Sequence, residues 1–404
     1  MNLSEFKEAI FRALLETQGL VPPPERRGLG PTGEAEVPEE VSRTRQMMEQ
    51  LIAEAFKNGF PEPPEFRLEA TELFGGAVAQ YVGQASSSMD FAFKRDMSPD
   101  LAKQAATLRE LRDGGIIPPQ FRPLFPRIYA ALVEGPPFAY LMEFFGEGYT
   151  ELSDHLFLGK TPLPADLVVG NLAETLFGLY GSTKQDLLVP NPEAIYVRRV
   201  RDRLHVAERL NPSFGRLTQT RTSINSQVYE SHEVYLEEVV KDLPTFRVPF
   251  STFVHGDIHP GNIFFKLRDG SIDFKFIDPK SWIWGDYMFD VGKLLHYIMV
   301  TGPREDAKSV EMKIADGDPV TIDYEIPPSP LAEGSAKLLG ERLCDFASAH
   351  NDLNYRARLD LSLASNLLGL CENRLTKDAY EGAVLYYCEG LRYLRQAGHR
   401  ERTA

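Results

Sequence analysis

Cysteine is scarce in this 404-residue chain: Cys344, Cys371 and Cys388 are the complete set. Three is an odd number, all sit in helix-like sequence, and none has metal-ligand spacing. That excludes a disulfide framework and a zinc site, and reads as reduced core residues of a cytoplasmic protein. Long apolar runs are also missing; none approaches the roughly 20 residues that a membrane-crossing helix needs. Basic charge is in deficit, with 44 Lys and Arg against 58 Asp and Glu for a net charge of −14. A surface that tracks nucleic-acid phosphates needs concentrated positive charge, so nucleic acid is excluded as the main partner. The opening residues Met1-Asn2-Leu3-Ser4-Glu5-Phe6-Lys7-Glu8 put acids where a secretory signal carries bare positive charge, so no export signal is expected. Neither a complete Gly-x-x-x-x-Gly-Lys-Ser/Thr loop nor a His-Glu-x-x-His pair is present, which removes P-loop and zincin chemistry.

What is present is concentrated in one octapeptide, His255-Gly256-Asp257-Ile258-His259-Pro260-Gly261-Asn262. Asp278 follows sixteen positions after Asn262, at the end of the apolar run Phe274-Lys275-Phe276-Ile277. Phosphoryl transfer from Mg-ATP requires one carboxylate to accept a hydrogen bond from the attacking hydroxyl. It also requires an amide oxygen and a second carboxylate to hold the metal that bridges the phosphates. Asp257, Asn262 and Asp278 supply those three groups in that order. Between them, Ile263-Phe264-Phe265-Lys266 and Ile272–Ile277 flank Asp269-Gly270, a pair that favours a type I′ hairpin turn. Such a hairpin would fold Asp278 back beside Asn262, so that two sequence-distant oxygens share one metal. His255 is expected to prop the loop by hydrogen bonding, and His259 to support it as well.

With 43% hydrophobic residues the chain is long enough for one large enzyme of two lobes or for two modest domains. Residues 1–66 read as a helical extension: an amphipathic stretch at 3–18, a Pro- and Gly-rich linker through Pro38, and a second helix at about 41–58. Packing on the small lobe, covering the active site and homodimerisation are all open roles for this extension. Residues 67–147 read as a small β-rich lobe. Glu72–Val82 has the pattern strand, Gly75-Gly76 turn, strand, and Phe91-Ala92-Phe93-Lys94 alternates so that Lys94 faces away from the two aromatics. Asp100–Leu111 is helix-like behind Ser98 and Pro99, and carries Glu110. Phe138–Phe144 is an apolar strand. Residues 148–404 turn helical, at roughly 165–183, 193–210 and 222–241, with three more helices over 335–397 and a short strand pair inserted at 301–329. Leu359, Leu363, Leu367 and Leu370 form one apolar stripe. The cluster Arg198, Arg199, Arg201 and Arg203 reads as a solvated helix face, with a role toward an anionic acceptor as the alternative. Asp290 is expected to cap the helix that follows Trp284-Gly285-Asp286 and to anchor the catalytic loop.

The constellation His255-Gly256-Asp257-x-x-x-x-Asn262 followed by Ile277-Asp278 resembles the phosphotransferase family of aminoglycoside phosphotransferases, choline and ethanolamine kinases, and related sugar kinases. The resemblance is sharp over about 250–295, extends from about residue 68 onward, and does not cover the first 60 or so residues. It implies an α+β, two-lobed protein-kinase-like fold, with a small antiparallel sheet lobe and a large helical lobe. It implies Lys94 as the lysine that pairs the ATP phosphates, Glu110 as its partner carboxylate, Gly75-Gly76 as the turn over the phosphates, and the backbone near Glu143 and Phe144 as the adenine edge. The acceptor would be a small-molecule hydroxyl on an aminoglycoside, an amino alcohol or a sugar, the acidic composition favouring cationic ones. Gly256 and the sequence Asp278-Pro279-Lys280-Ser281, where protein kinases have Arg and Asp-Phe-Gly, argue against a protein kinase. The complete set of Asp257, Asn262, Asp278 and Lys94 argues against a scaffold without turnover. ATP and GTP are both open, since backbone at the linker between lobes makes that choice.

Overall fold

A computed structural model of the protein describes residues 67–69, 79–86, 89–145, 148–186, 190–308, 310–327, 329–377 and 379–398. The expected N-terminal helices, the Pro-rich linker, the dimerisation segment and the Gly75-Gly76 turn lie outside them. The chain forms two compact units. Unit 1 runs to Tyr149 and takes back Lys275–Ser281; unit 2 holds Thr150–Phe274 and everything from Trp282 onward. The short returning segment differs from the sequence expectation, which placed all of 148–404 in the large lobe.

Unit 1 is an antiparallel sheet in the order β1-β2-β3-β5-β4. Its strands are β1 (Arg67–Glu69), β2 (Ala79–Ser86), β3 (Met89–Asp96), β4 (Ile128–Leu132) and β5 (Phe138–Glu143). Helix α1 (Asp100–Arg109) buries Leu101, Ala105 and Leu108. A wider turn at Glu110–Gly114 ends it, and Gly115 leaves with φ +85°, a conformation glycine adopts without strain. The returning segment is tied in by Lys275 Nζ, which donates to the Pro123 carbonyl at 2.8 Å, and by Phe276 packed edge-on to Phe125. Asp278 is therefore held in unit 1.

Unit 2 begins with β6 (Thr150–Glu151) and α2 (Ala165–Ser182). A helical turn at Glu193–Arg198 leads into α3 (Arg199–Leu210) and α4 (Pro212–Gln219). The expected helix over 222–241 is only half right. Thr222–Ile224 (β7) and Gln227–Tyr229 (β8) form a hairpin, and only His232–Lys241 (α5) is helical. Asn225 and Ser226 turn the chain with φ of 47° and 68°, and the β-branched residues beside them suit strands. β9 (Thr252–Phe253) leads into the catalytic loop and pairs with β12 (Trp284–Gly285). β10 (Ile263–Arg268) and β11 (Ser271–Phe276) are the expected hairpin, with Asp269 and Gly270 at φ 50° and 81°.

The rest of unit 2 is α6 (Tyr287–His296), the short α7 (Gly302–Glu305), the inserted pair β13 (Glu311–Ala315) and β14 (Val320–Glu325), and three long helices: α8 (Pro330–Ala349), α9 (Tyr355–Leu375) and α10 (Tyr380–Gly398). β14 runs parallel to β7, which joins the insertion to the unexpected hairpin. Helix α9 exceeds its leucine stripe, since every residue from Leu361 to Leu368 is buried. Its polar members bond to neighbouring backbone, apart from the Asn366 amide oxygen, which is buried without a partner. Ser362 Oγ donates to the Met288 carbonyl at 2.7 Å, and Asn366 Nδ2 to the Phe289 carbonyl at 3.3 Å. Gly292 of α6 allows that approach, since a Cβ there would collide with Ser362.

One buried ion network fixes the start of α6. Arg358, with no exposed surface, pairs with Asp286 at 2.9 Å and with Asp352 at 2.6 Å. Tyr196 and Tyr287 donate to the same two carboxylates. Removing the arginine would leave two carboxylates buried and uncompensated, at a cost of about 3–5 kcal/mol. Among the described residues no helix is long and apolar enough to cross a membrane.

Candidate active site

Within unit 1, β3 places Lys94 opposite Tyr140 of β5. Lys94 is buried, and its Nζ lies 2.6 Å from Asp278 Oδ1. Asp278 has φ +60°, a strained position that a short Asp side chain tolerates better than most. The second partner of Lys94 is Gln104 Oε1 at 3.3 Å, which also accepts from the Tyr140 hydroxyl at 2.8 Å. Burial, with the charge of Asp278 added, holds the Tyr140 phenol well above its ordinary range, so it stays a donor.

The expected Lys94–Glu110 pair does not form. Glu110 is exposed, and its carboxylate curls over Gly114 in the widened turn. The reason is helical phase: Gln104 sits on the turn of α1 that faces Lys94, and Glu110 lies beyond the end of that helix. At the end of β5, the Glu143 N–H donates to the Arg127 carbonyl at 2.8 Å, and the Glu143 carboxylate accepts from the Arg127 N–H. Both groups of Glu143 are thus engaged within the sheet edge, while Phe144 follows the strand half-buried.

Within unit 2, the octapeptide is held from below by a single carboxylate. Asp290 accepts from the backbone N–H of His255 at 2.7 Å and of Gly256 at 2.8 Å, and from the Tyr180 hydroxyl at 3.2 Å. Gly256 has φ +79°, where a side chain would be strained; the turn that aims its N–H at Asp290 requires glycine. Burial pushes the Asp290 carboxyl up from about 3.8 to about 7, against its three hydrogen bonds, and the charge of Asp257 adds to the rise. The helix cap expected of Asp290 belongs instead to Asp286, which accepts from the Met288 N–H at 3.1 Å.

His255 Nδ1 accepts from the Asp257 N–H at 3.3 Å, the loop support expected of it. His259 likewise accepts from the Gly261 N–H at 3.1 Å and stacks on Tyr297. Asn262 Nδ2 donates to the Asp257 carbonyl at 2.9 Å, which leaves its amide oxygen as the atom open to another partner. Asp257 itself lies 3.0 Å from the ammonium of Lys293.

Lys293 was legible only in part. It follows Asp290 by three residues on α6, so the helix repeat alone puts both on one face, beside the loop that Asp290 anchors. Nothing in the sequence marked Gln104 or Tyr180, whose partners lie far along the chain.

The chain matches the phosphotransferase enzyme family over residues 81–319, which is more than half of its length. It belongs to that family. Among solved structures it is similar to Plasmodium vivax ethanolamine kinase, at 12% identity with a TM-score of 0.54, covering 95% of this chain and 92% of that one. It is also similar to a thermostable mutant of aminoglycoside phosphotransferase APH(4)-Ia in ternary complex with AMP-PNP and hygromycin B. That likeness has 11% identity and a TM-score of 0.51, and covers 86% of this chain and 99% of the other. Identities this low establish the fold, and the α+β two-lobed kinase-like architecture expected from the sequence is the one found. No curated protein matches the sequence. As a member of this family the chain is a phosphotransferase.

Proposed function

We propose that the protein transfers the γ-phosphoryl group of ATP, with Mg²⁺, to a hydroxyl of a small molecule. The observation that carries this reading is the braced loop around Asp257. A carboxylate on a turn that two backbone amides and a histidine hold in place is pre-organised to orient an attacking hydroxyl and accept its proton late in transfer. Lys94 pairs phosphate oxygens in this scheme, and Gln104 with Tyr140 holds it in position in the place expected of Glu110.

The residues present fit a hard divalent cation. Among the described residues no group of three or more His, Cys, Asp or Glu forms a self-sufficient cation site. Asn262 keeps its amide oxygen, and Asp278 has a second carboxylate oxygen beyond the one on Lys94. Magnesium prefers such a small set of oxygens, completed by phosphate and water. When bound, it would neutralise charge on the phosphate oxygens. The unpaired thiols of Cys371 and Cys388, both buried, suit the reducing cytoplasm.

The roles separate in a nucleotide-binding titration with and without Mg²⁺. Asp257→Ala is expected to keep metal-dependent binding and lose transfer. Asp278→Ala is expected to lose both. Equal behaviour of the two variants would contradict the assignment.

A further inference from the structure

The surroundings of Asp257 within unit 2 are cationic beyond what its own charge requires. Lys293 already pairs with it. Arg199, the first residue of α3, lays its guanidinium over the Phe289 ring at 5.2 Å and against Gly369, where a Cβ would come within 3.3 Å of Nη2. Its Nε is buried without a hydrogen-bond partner, and it makes no ion pair among the described residues. The nearby carboxylate, Glu372, is engaged by Arg203 at 2.7 Å. His296, one turn beyond Lys293 on α6, bonds Thr301 through Nδ1, and its buried Nε2 has no partner.

These groups act on one another. Burial lowers the affinity of His296 for a proton, and Lys293, His259 and Arg199 repel a further charge there, while Asp257 opposes them. Burial likewise lowers Arg199, with Arg203 repelling it and Asp257 and Glu372 opposing. A buried donor left unmade is unfavourable, and one beside a reacting carboxylate is available to a ligand. The sign is also opposite to that of the whole chain, whose net charge is −14. Trp282, 42% exposed, packs edge-on to Phe289 at 5.0 Å and adds an apolar surface next to the ring that carries the guanidinium.

We propose that the acceptor is a small hydroxyl compound bearing a carboxylate or phosphate group, and that Arg199 binds that group while Asp257 orients the hydroxyl. This rests on the kinase reading above. It departs from the cationic acceptors that the acidic composition favoured, because local charge at the reacting carboxylate governs recognition more than the distant net charge. Arg suits the role, since its fork matches carboxylate and phosphate oxygens two at a time.

The test is a calorimetric titration of the full chain saturated with Mg-AMP-PNP, so that the nucleotide phosphate positions are filled. The probes share one three-carbon skeleton: D-glycerate, glycerol 3-phosphate, glycerol and 3-amino-1,2-propanediol. Expected is binding of at least one anion about tenfold or more tighter than glycerol, with the amine no tighter than glycerol; the two anions separate the carboxylate and phosphate forms. Arg199→Gln removes that preference, and Arg199→Lys keeps part of it. Arg203→Ala, at an exposed position, frees Glu372 to engage Arg199 and weakens the anion as well. Nucleotide binding by each variant confirms that it is folded. Tighter binding of the amine, an anion bound equally by Arg199→Gln, or no anion bound while AMP-PNP binds would each overturn the proposal. Failure of the wild-type chain to bind AMP-PNP would instead overturn the kinase reading on which it rests.

Discussion

Two lysine–aspartate pairs, one in each unit, look alike and are braced differently. Lys94 and Asp278 in unit 1 lie 2.6 Å apart, and their further contacts are neutral: the Gln104 amide, and through it the Tyr140 hydroxyl. Lys293 and Asp257 in unit 2 lie 3.0 Å apart, with Arg199 and His296 as further neighbours, both of which feel the charge of Asp257. The first pair stands among neutral groups, and the second has one further cation, Arg199, near it, since burial keeps the His296 imidazole neutral. A balanced pair stays intact until a polyanion and its metal compete for both partners. A pair with a further guanidinium near it already favours an anion. The lesson is that a charged pair at a site is read by its neighbours, since isolated pairs of either kind contribute little to stability.

The comparison can be broken from its strongest point downward. Asp257→Asn keeps the shape and removes the base; turnover should fall by about 10²–10⁴, read by ADP production under saturating acceptor. Lys94→Met should lower turnover by about 10²–10³, because it removes one preorganised donor from the phosphates. A Lys94→Met loss smaller than that of Gln104→Ala would contradict the roles given to the two.

Asp290→Asn comes next. It leaves one of two buried amides without an acceptor and should cost about 1–3 kcal/mol in a denaturant melt at pH 7. Its pH signature follows from the raised carboxyl. Between pH 3.8 and about 7 the folded chain keeps a proton here that the unfolded chain has released. The contribution of this group therefore falls as pH rises through that window, and Asp290→Asn removes that slope. Melts of both proteins at pH 5 and pH 7 measure it.

Gln104→Ala is expected to raise the nucleotide KM by about 3- to 10-fold with a smaller change in kcat, the size of one ordinary net hydrogen bond. Glu110→Ala should change stability by no more than about 0.5 kcal/mol and leave the nucleotide KM alone, as an exposed substitution does. The reverse ranking of these two would restore Glu110 as the partner of Lys94.

The fold was legible where its signals were local. Asp269-Gly270 specified its hairpin, and the spacing of α2 and α9 their helical state. The hairpin at Thr222–Tyr229 was hidden, since Asn225-Ser226 is a weaker turn signal than Asp-Gly and its partner β14 is almost a hundred residues away. At the candidate site, Asp257, Asn262 and Asp278 could be singled out by their spacing, and Lys94 by its place at the end of an alternating strand together with the family resemblance. The Lys94 partner was not, because it depends on which turn of α1 faces the sheet. Arg199 was visible as one of a cluster of arginines, but only the positions of Phe289, Gly369 and Glu372 separate it from its solvated neighbours.

The measurement that tests the central claim most directly is mass spectrometry of the purified protein incubated with Mg-ATP and pooled hydroxyl acceptors, with Asp257→Asn as the blank. The pools would hold hydroxy acids, sugar phosphates, sugars, amino alcohols and aminoglycosides. The account predicts a product heavier by one phosphoryl group, formed by the wild-type chain and missing from the blank. The same product formed at the same rate by Asp257→Asn would contradict it.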